Sequence, residues 1–328
     1  MSISMEHIDA VRLLAHNDPK RKRYLSRLLS SVENDAENGP DILRALLPYT
    51  GQAYRIGITG PPGAGKSTLV NAAALGLAQQ GKRVGIIAVD PTSAFTGGAI
   101  LGDRFRMQAI STHENIFIRS MATRGAMGGL VHTAHAAADL LDAFGYDVII
   151  FETVGVGQSE IDIVQYTDTV VVVLVPESGD GVQAMKAGIM EIADLFVVNK
   201  SDRDQADILK RELEAAVQIR YTHAPWMPVV LKTVATQNEG IDAVLETVFK
   251  HREYLESSGD MDIRRKSRIR NALLRGVNKK LHDHLTSEGY RGLVDEQIDA
   301  VFYKKIILQD AADMIFRSMY SSAIPPGK

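Results

Sequence analysis

Residues 60–67 read Gly60-Pro-Pro-Gly63-Ala64-Gly65-Lys66-Ser67 and fit the pattern G-x-x-x-x-G-K-[ST]. The apolar run Arg55–Thr59 precedes them, and a helical pattern over Thr68–Gln80, ending at Gly81, follows. Strand, glycine loop and helix in that order form the context in which this spacing carries chemistry. Glycines let backbone N–H groups turn inward around phosphate oxygens. A helix N-terminus adds partial positive charge. Lys66 is spaced to reach β and γ phosphates, and the Ser67 hydroxyl to bind Mg²⁺. The positions expected to face a nucleoside triphosphate are Gly60, Gly63, Ala64, Gly65, Lys66, Ser67 and Thr68.

A second motif selects the base. Asn199-Lys200-Ser201-Asp202 (N-K-x-D) closes the apolar run Leu195–Val198. Guanine presents N1–H and a 2-amino group on one edge, and a carboxylate at Asp202 accepts from both. Asn199 is placed to reach N7 and tie the loop together. Adenine has neither donor, so a buried Asp202 would be left unpaired against ATP, a discrimination of roughly four orders of magnitude. The competing reading is a helix cap, with Ser201 or Asp202 opening the Asp204–Arg220 helix. Thr233-Val234-Ala235 follows the next strand and offers a backbone contact to guanine O6.

Acidic residues at strand ends point to a metal. Asp90 ends VGIIAVD, Asp103 follows the turn from Gly97 to Gly102, and Glu152 ends DVIIFE. Mg²⁺ takes few carboxylates and keeps several waters, so these three, with Ser67, are the candidate donors. Asp90 before Pro91 also suits a turn, and Asp103 also suits an N-cap. Glu152-Thr-Val-Gly155 stands where GTPases commonly carry D-x-x-G, with the Gly155 N–H available to a γ-phosphate. Val156, not Gln, follows that glycine, and Gln158 lies two further on. Intrinsic hydrolysis is therefore expected to be slow until something completes the site.

The elements that must position these residues follow from apolar periodicity. Seven short runs are Arg55–Thr59, Val84–Val89, Ile116–Met121, Val148–Phe151, Val170–Val175, Leu195–Val198 and Val229–Leu231. They are apolar throughout, as strands buried on both faces are, and they alternate with helical stretches. That predicts βαβ units and a doubly wound, mostly parallel α/β sheet. Residues 1–50 form a helical preface, with Ile8, Val11 and Leu14, then Leu25, Leu28 and Leu29, then Ile42, Leu43, Leu46 and Leu47 at helical spacing, and a loop over Asn34–Pro40. Residues 51–256 hold the phosphate-loop domain, and 257–328 form a helical tail. In that tail Ile269, Leu273, Val277, Leu281 and Leu285 recur every four residues, Gly289 and Gly292 break the stripe, and one further helix carries Ile298 to Met314. Such a tail should pack on the main domain or on a second copy of the chain.

Composition narrows the classes. The chain has 328 residues and no cysteine, which excludes disulfides, thiolate metal sites and cysteine nucleophiles. Lys and Arg total 37 against 40 Asp and Glu, a net −3, so a whole-molecule basic field for nucleic acid is absent. The opening MSISMEHIDAVRLLAHNDPKRKRY has no apolar signal core, and no apolar run is long enough for a membrane span. The expectation is a cytoplasmic protein with no membrane partner.

Taken together, Asp90-Pro-Thr-Ser, Gly97-Gly-Ala-Ile-Leu-Gly-Asp103-Arg104-Phe-Arg106-Met107 and Glu152-Thr-Val-Gly-Val-Gly-Gln158-Ser-Glu160 resemble the MeaB/ArgK family, which includes the human methylmalonic aciduria type A protein. The resemblance covers nearly the whole chain. It implies a signal-recognition-particle/MinD-like P-loop NTPase fold that binds GTP and GDP with Mg²⁺. It also implies a homodimer formed by the C-terminal arm, and a partner that is an adenosylcobalamin-dependent acyl-CoA mutase, usually methylmalonyl-CoA mutase, whose cofactor loading GTP hydrolysis gates. Lys66, Ser67, Asp90, Asp103 and Glu152 would then serve phosphate and metal, and Asn199 and Asp202 guanine. A further loop of the family corresponds to Pro176–Lys186 here. Many members have a small residue where Glu177 stands and an acidic one where Gly181 stands, whereas Asp180 and Lys186 match. Lys186 becomes a candidate that enters the site only when the mutase is bound. The plain alternative is a solvated lysine.

Other functions stay open: a kinase of an arginine transport system, a metal-insertion GTPase, or a GTP-dependent scaffold without turnover. The first would transfer the γ-phosphate to a protein, and the second resembles this chain in the P-loop but commonly uses Cys or His clusters. The basic clusters Lys20–Arg23 and Arg264-Arg-Lys266, with Arg268 and Arg270, read as solvated helix faces. His132 and His135 read as ordinary helix positions, and Trp226 and Phe249 as packing. Arg104, Arg106 and Arg124 are unranked candidates for stabilising phosphate charge.

Overall fold

The computed structural model describes residues 20–34, 39–91, 108–123, 129–153, 159–176 and 188–323. The chain divides into two compact units, Met1–Asn271 and Ala272–Lys328.

All seven expected strands form in the first unit: β1 Tyr54–Thr59, β2 Val84–Pro91, β3 Ile116–Thr123, β4 Val148–Thr153, β5 Thr169–Leu174, β6 Leu195–Val198 and β7 Val229–Lys232. They build one sheet in the order β3-β2-β4-β1-β5-β6-β7, and every pairing is parallel. Parallel neighbours need crossover connections, and these supply helices for both faces. Among the described residues, the helices before β1 are α1 Lys20–Glu33 and α2 Gly39–Leu46. Those between strands are α3 Lys66–Gln79, α4 Gln108–Ser111, α5 Gly129–Ala143, α6 Ser159–Asp162, α7 Ile189–Ile192 and α8 Ala206–Arg220, and after β7 comes α9 Ile241–Ser258.

The period of two along each strand divides the core in two. Ile149, Phe151, Val170, Val172 and Phe196 pack on one face with Leu25, Leu28 and Leu29 of α1, Ile42 of α2, Leu140 of α5 and Leu213 of α8. Ile56, Ile58, Ile150, Val171, Val173 and Val197 pack on the other with Leu69 and Leu77 of α3 and Val244 and Val248 of α9. Each fully buried Val, Leu or Ile contributes about 1.5–3 kcal/mol of transfer free energy. Apolar residues on both parities are thus what a sheet covered on both faces requires. The expected N-terminal stripe holds from Leu25 to Leu46, but Leu47 is exposed in the short turn Leu47–Tyr49. Gly39 and Pro40, read as loop, open α2 instead, because proline lacks only an N–H that is unpaired in a first turn anyway. Ile8, Val11 and Leu14 lie outside the described residues.

The helix α10 Asp260–Leu285 begins in the first unit and ends in the second, followed by α11 Glu288–Phe302 and α12 Leu308–Ala323. Two expectations for this region change. Gly289 and Gly292 lie inside α11, and the break falls at Thr286–Ser287. The single last helix is two helices, parted by a turn in which Lys304 takes a φ of 57°. Within the second unit Leu273, Val277, Leu281, Ile298, Phe302, Ile307, Met314 and Phe316 are all exposed. Among the described residues, no helix is long and apolar enough to cross a membrane.

Candidate active site

The phosphate-loop motif sits where the sheet topology predicts a ligand: at the carboxyl end of central strand β1, between β4 and β5, where chain connections leave in opposite directions. Two glycines are obligatory. Gly60 has a φ of 138°, and a Cβ there would lie 2.1 Å from the carbonyl oxygen of Val173. Gly65 has a φ of 83°, and a Cβ would lie 2.4 Å from Asn199 Nδ2. Gly63 is also left-handed, with open space beside it. Ala64 is buried, and Thr68 is half-buried in the first turn of α3. The loop thus delivers α3, with its free N–H groups and partial positive charge, directly behind itself.

Lys66 is buried, and its Nζ donates to Gly60 O at 2.7 Å and Pro61 O at 2.9 Å. The ammonium therefore lies within the arc of the loop. Ser67 Oγ donates to Glu152 Oε1 at 2.5 Å, and both residues are buried. The helix start after β1 is thereby tied to the end of β4, and the two expected metal donors are adjacent. One hydroxyl and one carboxylate form a hard oxygen pair, which suits an ion that retains waters.

Asn199 directly follows β6 and is buried. Its Nδ2 donates to Ala64 O at 2.9 Å, and its Oδ1 accepts from Thr233 Oγ1 at 3.0 Å and from the Ala235 N–H at 3.2 Å. One side chain thus joins the phosphate loop, the N-K-x-D turn and the segment after β7. Lys200 takes a φ of 55°, which turns the chain back after the strand. Asp202 is exposed, while Thr233, Val234 and Ala235 are buried. Neither Ser201 nor Asp202 caps the next helix: α8 starts at Ala206 with Gln205 as its N-cap.

Asp90 lies on β2, one residue past Val89, which pairs with Thr153 of β4. Its backbone is therefore level with the carboxyl end of β4, as expected. Asp103, Gly155 and Lys186 lie outside the described residues, as do Arg104, Arg106, Arg124 and Gln158.

Two further groups of polar residues were not singled out from sequence. Thr59 and Thr153 are buried, with their hydroxyl oxygens 3.0 Å apart; Thr153 directly follows Glu152, and Thr59 directly precedes Gly60 of the phosphate loop. The visible signal was a threonine at the last position of each strand. The second group lies at the amino ends of β5 and β6. Arg264 places both terminal nitrogens on the Asp194 carboxylate at 2.8 and 2.9 Å. Arg268 donates to Asp168 at 2.6 Å, and Arg265 donates to it at 3.3 Å. Arg264, Arg265 and Arg268 thus form buried or half-buried ion pairs, contrary to the expected solvated face. Lys266 and Arg270 are exposed, as expected. Burial alone would raise the Asp168 carboxyl, but the guanidiniums of Arg268 and Arg265 and the Arg55 N–H outweigh it and hold it below the usual carboxylate range. His251, fully buried, is pushed down to about 4 by desolvation, against the pull of Asp194. A cavity of about 520 Å³ lies here, lined by residues including Trp226, Tyr254, Arg264 and Arg268 and by none of the nucleotide motifs.

Comparison with known proteins agrees with this geometry. Residues 25–289 match the family described as Methylmalonyl Co-A mutase-associated GTPase MeaB. Over 306 residues the chain is 47% identical to a Pyrococcus abyssi protein provisionally named as a GTPase, covering 92% of this chain and 94% of that one. Over 258 residues it is 36% identical to the methylmalonic aciduria type A homolog, mitochondrial, of Mus musculus, covering 77% of this chain and 61% of that one. The crystal structure of an LAO/AO transport system kinase matches with a TM-score of 0.76 at 26% identity, covering 98% of this chain and 100% of that chain. With its P-loop fold, its guanine motif and these relatives, the chain belongs to the MeaB family of GTPases.

Proposed function

We propose that this GTPase acts with Mg²⁺ as a chaperone of an adenosylcobalamin-dependent acyl-CoA mutase of the methylmalonyl-CoA mutase type, gating cofactor loading. The observation that carries the reading is the Ser67–Glu152 contact beside a phosphate loop that Asn199 ties to the N-K-x-D turn. Phosphate and base elements then form one site. The printed family description supports the choice of partner.

In this reading Gly60, Gly63, Ala64, Gly65 and Thr68 cradle the phosphates, and Lys66 exchanges its two loop carbonyls for phosphate oxygens. Ser67 and Glu152, with Asp90 and Asp103, would hold the Mg²⁺, which when bound neutralises charge on the β and γ phosphates. Asp202 and Asn199 bind guanine, with Lys200, Thr233, Val234 and Ala235 closing around the base. Gly155 offers its N–H to the γ-phosphate. Water attacks in line, and catalysis rests on positioning and charge. No Gln follows Gly155, so Lys186, on a glycine-containing loop, is assigned to complete the site when the mutase is bound.

The second unit would form the homodimer. Its exposed apolar residues, from Leu273 to Phe316, amount to a surface that soluble chains rarely leave open. The test is GTP turnover with and without a purified adenosylcobalamin-dependent mutase. Stimulation by the mutase is expected, and Lys186→Ala should abolish it while leaving intrinsic turnover intact. No stimulation by any such mutase would count against the reading. Transfer of labelled γ-phosphate to a protein, rather than its release, would favour a transport-system kinase, as the matched crystal structure is described.

A further inference from the structure

The backbone ladder between β1 and β4 ends at the pair Ile58↔Glu152. The next residue on each strand is a threonine, and there side chains take over. Thr59 Oγ1 is 3.0 Å from Thr153 Oγ1 and 3.2 Å from the carbonyl oxygen of Glu160 in α6. Thr59 is 0% exposed and Thr153 3%.

The direction of these bonds follows from proton counting. A hydroxyl has one proton, and a carbonyl only accepts. Thr59 must therefore donate to Glu160 O, which leaves Thr153 as the donor to Thr59. The order is Thr153 to Thr59 to Glu160, with no freedom to reverse. Thr59 itself is held from the other side, because its backbone pairs with Val172 of β5.

Both neighbours of this relay are site residues. Gly60, whose carbonyl takes the Lys66 ammonium, follows Thr59 directly. Glu152, whose carboxylate takes the Ser67 hydroxyl, directly precedes Thr153. Glu160 is the second residue of α6, the first element described after β4. One hydroxyl is thus bonded to the chain on either side of residues 154–158.

We infer that Thr59 is a positioning residue for GTP hydrolysis: its hydroxyl braces the chain at Thr153 and at Glu160, and so sets where the Glu152 carboxylate stands against Ser67. Fully buried, it offers no surface to a nucleotide or a metal, and it acts through Glu152. The inference rests on the assignment of hydrolysis to this site. A purely structural role would lower stability and leave turnover per folded molecule unchanged.

The experiment measures kcat and KM for GTP at saturating Mg²⁺, affinity for a fluorescent GDP, and Tm. It compares wild type, Thr59→Val, Thr59→Ser and Thr153→Val. Valine keeps the shape and removes the hydroxyl, while serine keeps the hydroxyl. Thr59→Val and Thr153→Val should each lower kcat by about tenfold, the equivalent of one to two lost hydrogen bonds. GDP affinity should stay within about twofold, and Thr59→Ser should retain near wild-type kcat. If Thr59→Val keeps the wild-type kcat, or Thr59→Ser falls as far as valine, the brace is overturned. Should Thr59→Val fail to fold, Thr153→Val removes only the first link, and an unchanged kcat there overturns the inference equally. A wild-type chain that turns over no GTP would instead overturn the reading of the site.

Discussion

The side-chain amide of Asn199 donates to the carbonyl oxygen of Ala64 at 2.9 Å, across 135 positions of sequence. The residue that opens the N-K-x-D motif therefore also clamps the G-x-x-x-x-G-K-S loop. A change in either loop is felt by the other, because the same amide also accepts from Thr233 and Ala235.

Replacing Asn199 by alanine removes three buried hydrogen bonds and leaves several of their partners without them. At roughly 1–3 kcal/mol for a buried group left unsatisfied, GTP affinity should fall by about two orders of magnitude. Tm should fall as well. Titration with a fluorescent GDP tests this, and an affinity within a few-fold of wild type would refute the clamp.

Asp202 is exposed in the turn that Lys200 redirects. If its carboxylate accepts from guanine N1–H and the 2-amino group, as proposed, Asp202→Asn should cost GTP binding roughly two orders of magnitude or more. An amide donates to the 2-carbonyl of xanthine, and XTP should be the preferred nucleotide of the variant. Competition between GTP and XTP decides; an unchanged preference for GTP would remove Asp202 from base recognition.

Ser67 and Glu152 are in contact at 2.5 Å. If they hold Mg²⁺, Ser67→Ala and Glu152→Gln should each raise the Mg²⁺ concentration needed for half-maximal turnover by about 10- to 100-fold. A Mg²⁺ titration with unchanged midpoint would place the metal elsewhere.

Asp168 is fully buried between Arg265 and Arg268. Its neutral replacement Asp168→Asn leaves two guanidiniums without their counter-charge, and should cost about 3–5 kcal/mol in urea unfolding. The carboxyl is held below its usual range, so its own contribution is full above the unfolded carboxyl's value and is lost progressively as pH falls below about 4.

His251 titrates earlier on the way down. The unfolded chain takes up its proton near pH 6.5, and the folded chain near 4. Between those values the unfolded state binds more protons, so stability is full above pH 6.5 and falls as pH drops toward 4. About 2 kcal/mol should be gone at pH 5 relative to pH 7. His251→Gln should flatten that slope, measured as the difference between the two proteins in urea at pH 7 and pH 5.

Much of the site was legible in residues 60–67 and 199–202, because phosphate and guanine chemistry each dictate a local pattern. The inner strands were legible too, since a strand buried on both faces is apolar along most of its length, and the edge strands β3 and β7, only partly buried, still carry short apolar runs. The breaks in the tail were misread. Gly289 and Gly292 are tolerated inside α11, whereas Ser287 and Lys304 mark the turns by backbone conformation alone.

What the residues determined unaided was therefore the phosphate loop, the base and the class of sheet. Tertiary structure decided which distant groups meet. The basic run at Arg264 looked solvated because its partners, Asp168 and Asp194, stand 70 to 100 positions away at the amino ends of two strands. Thr59 looked like an ordinary strand end until Thr153 and Glu160 were brought to its hydroxyl. The physical reason is the same in both cases. A charge or hydroxyl has no periodicity of its own, and its burial and its partner are set only when the sheet closes.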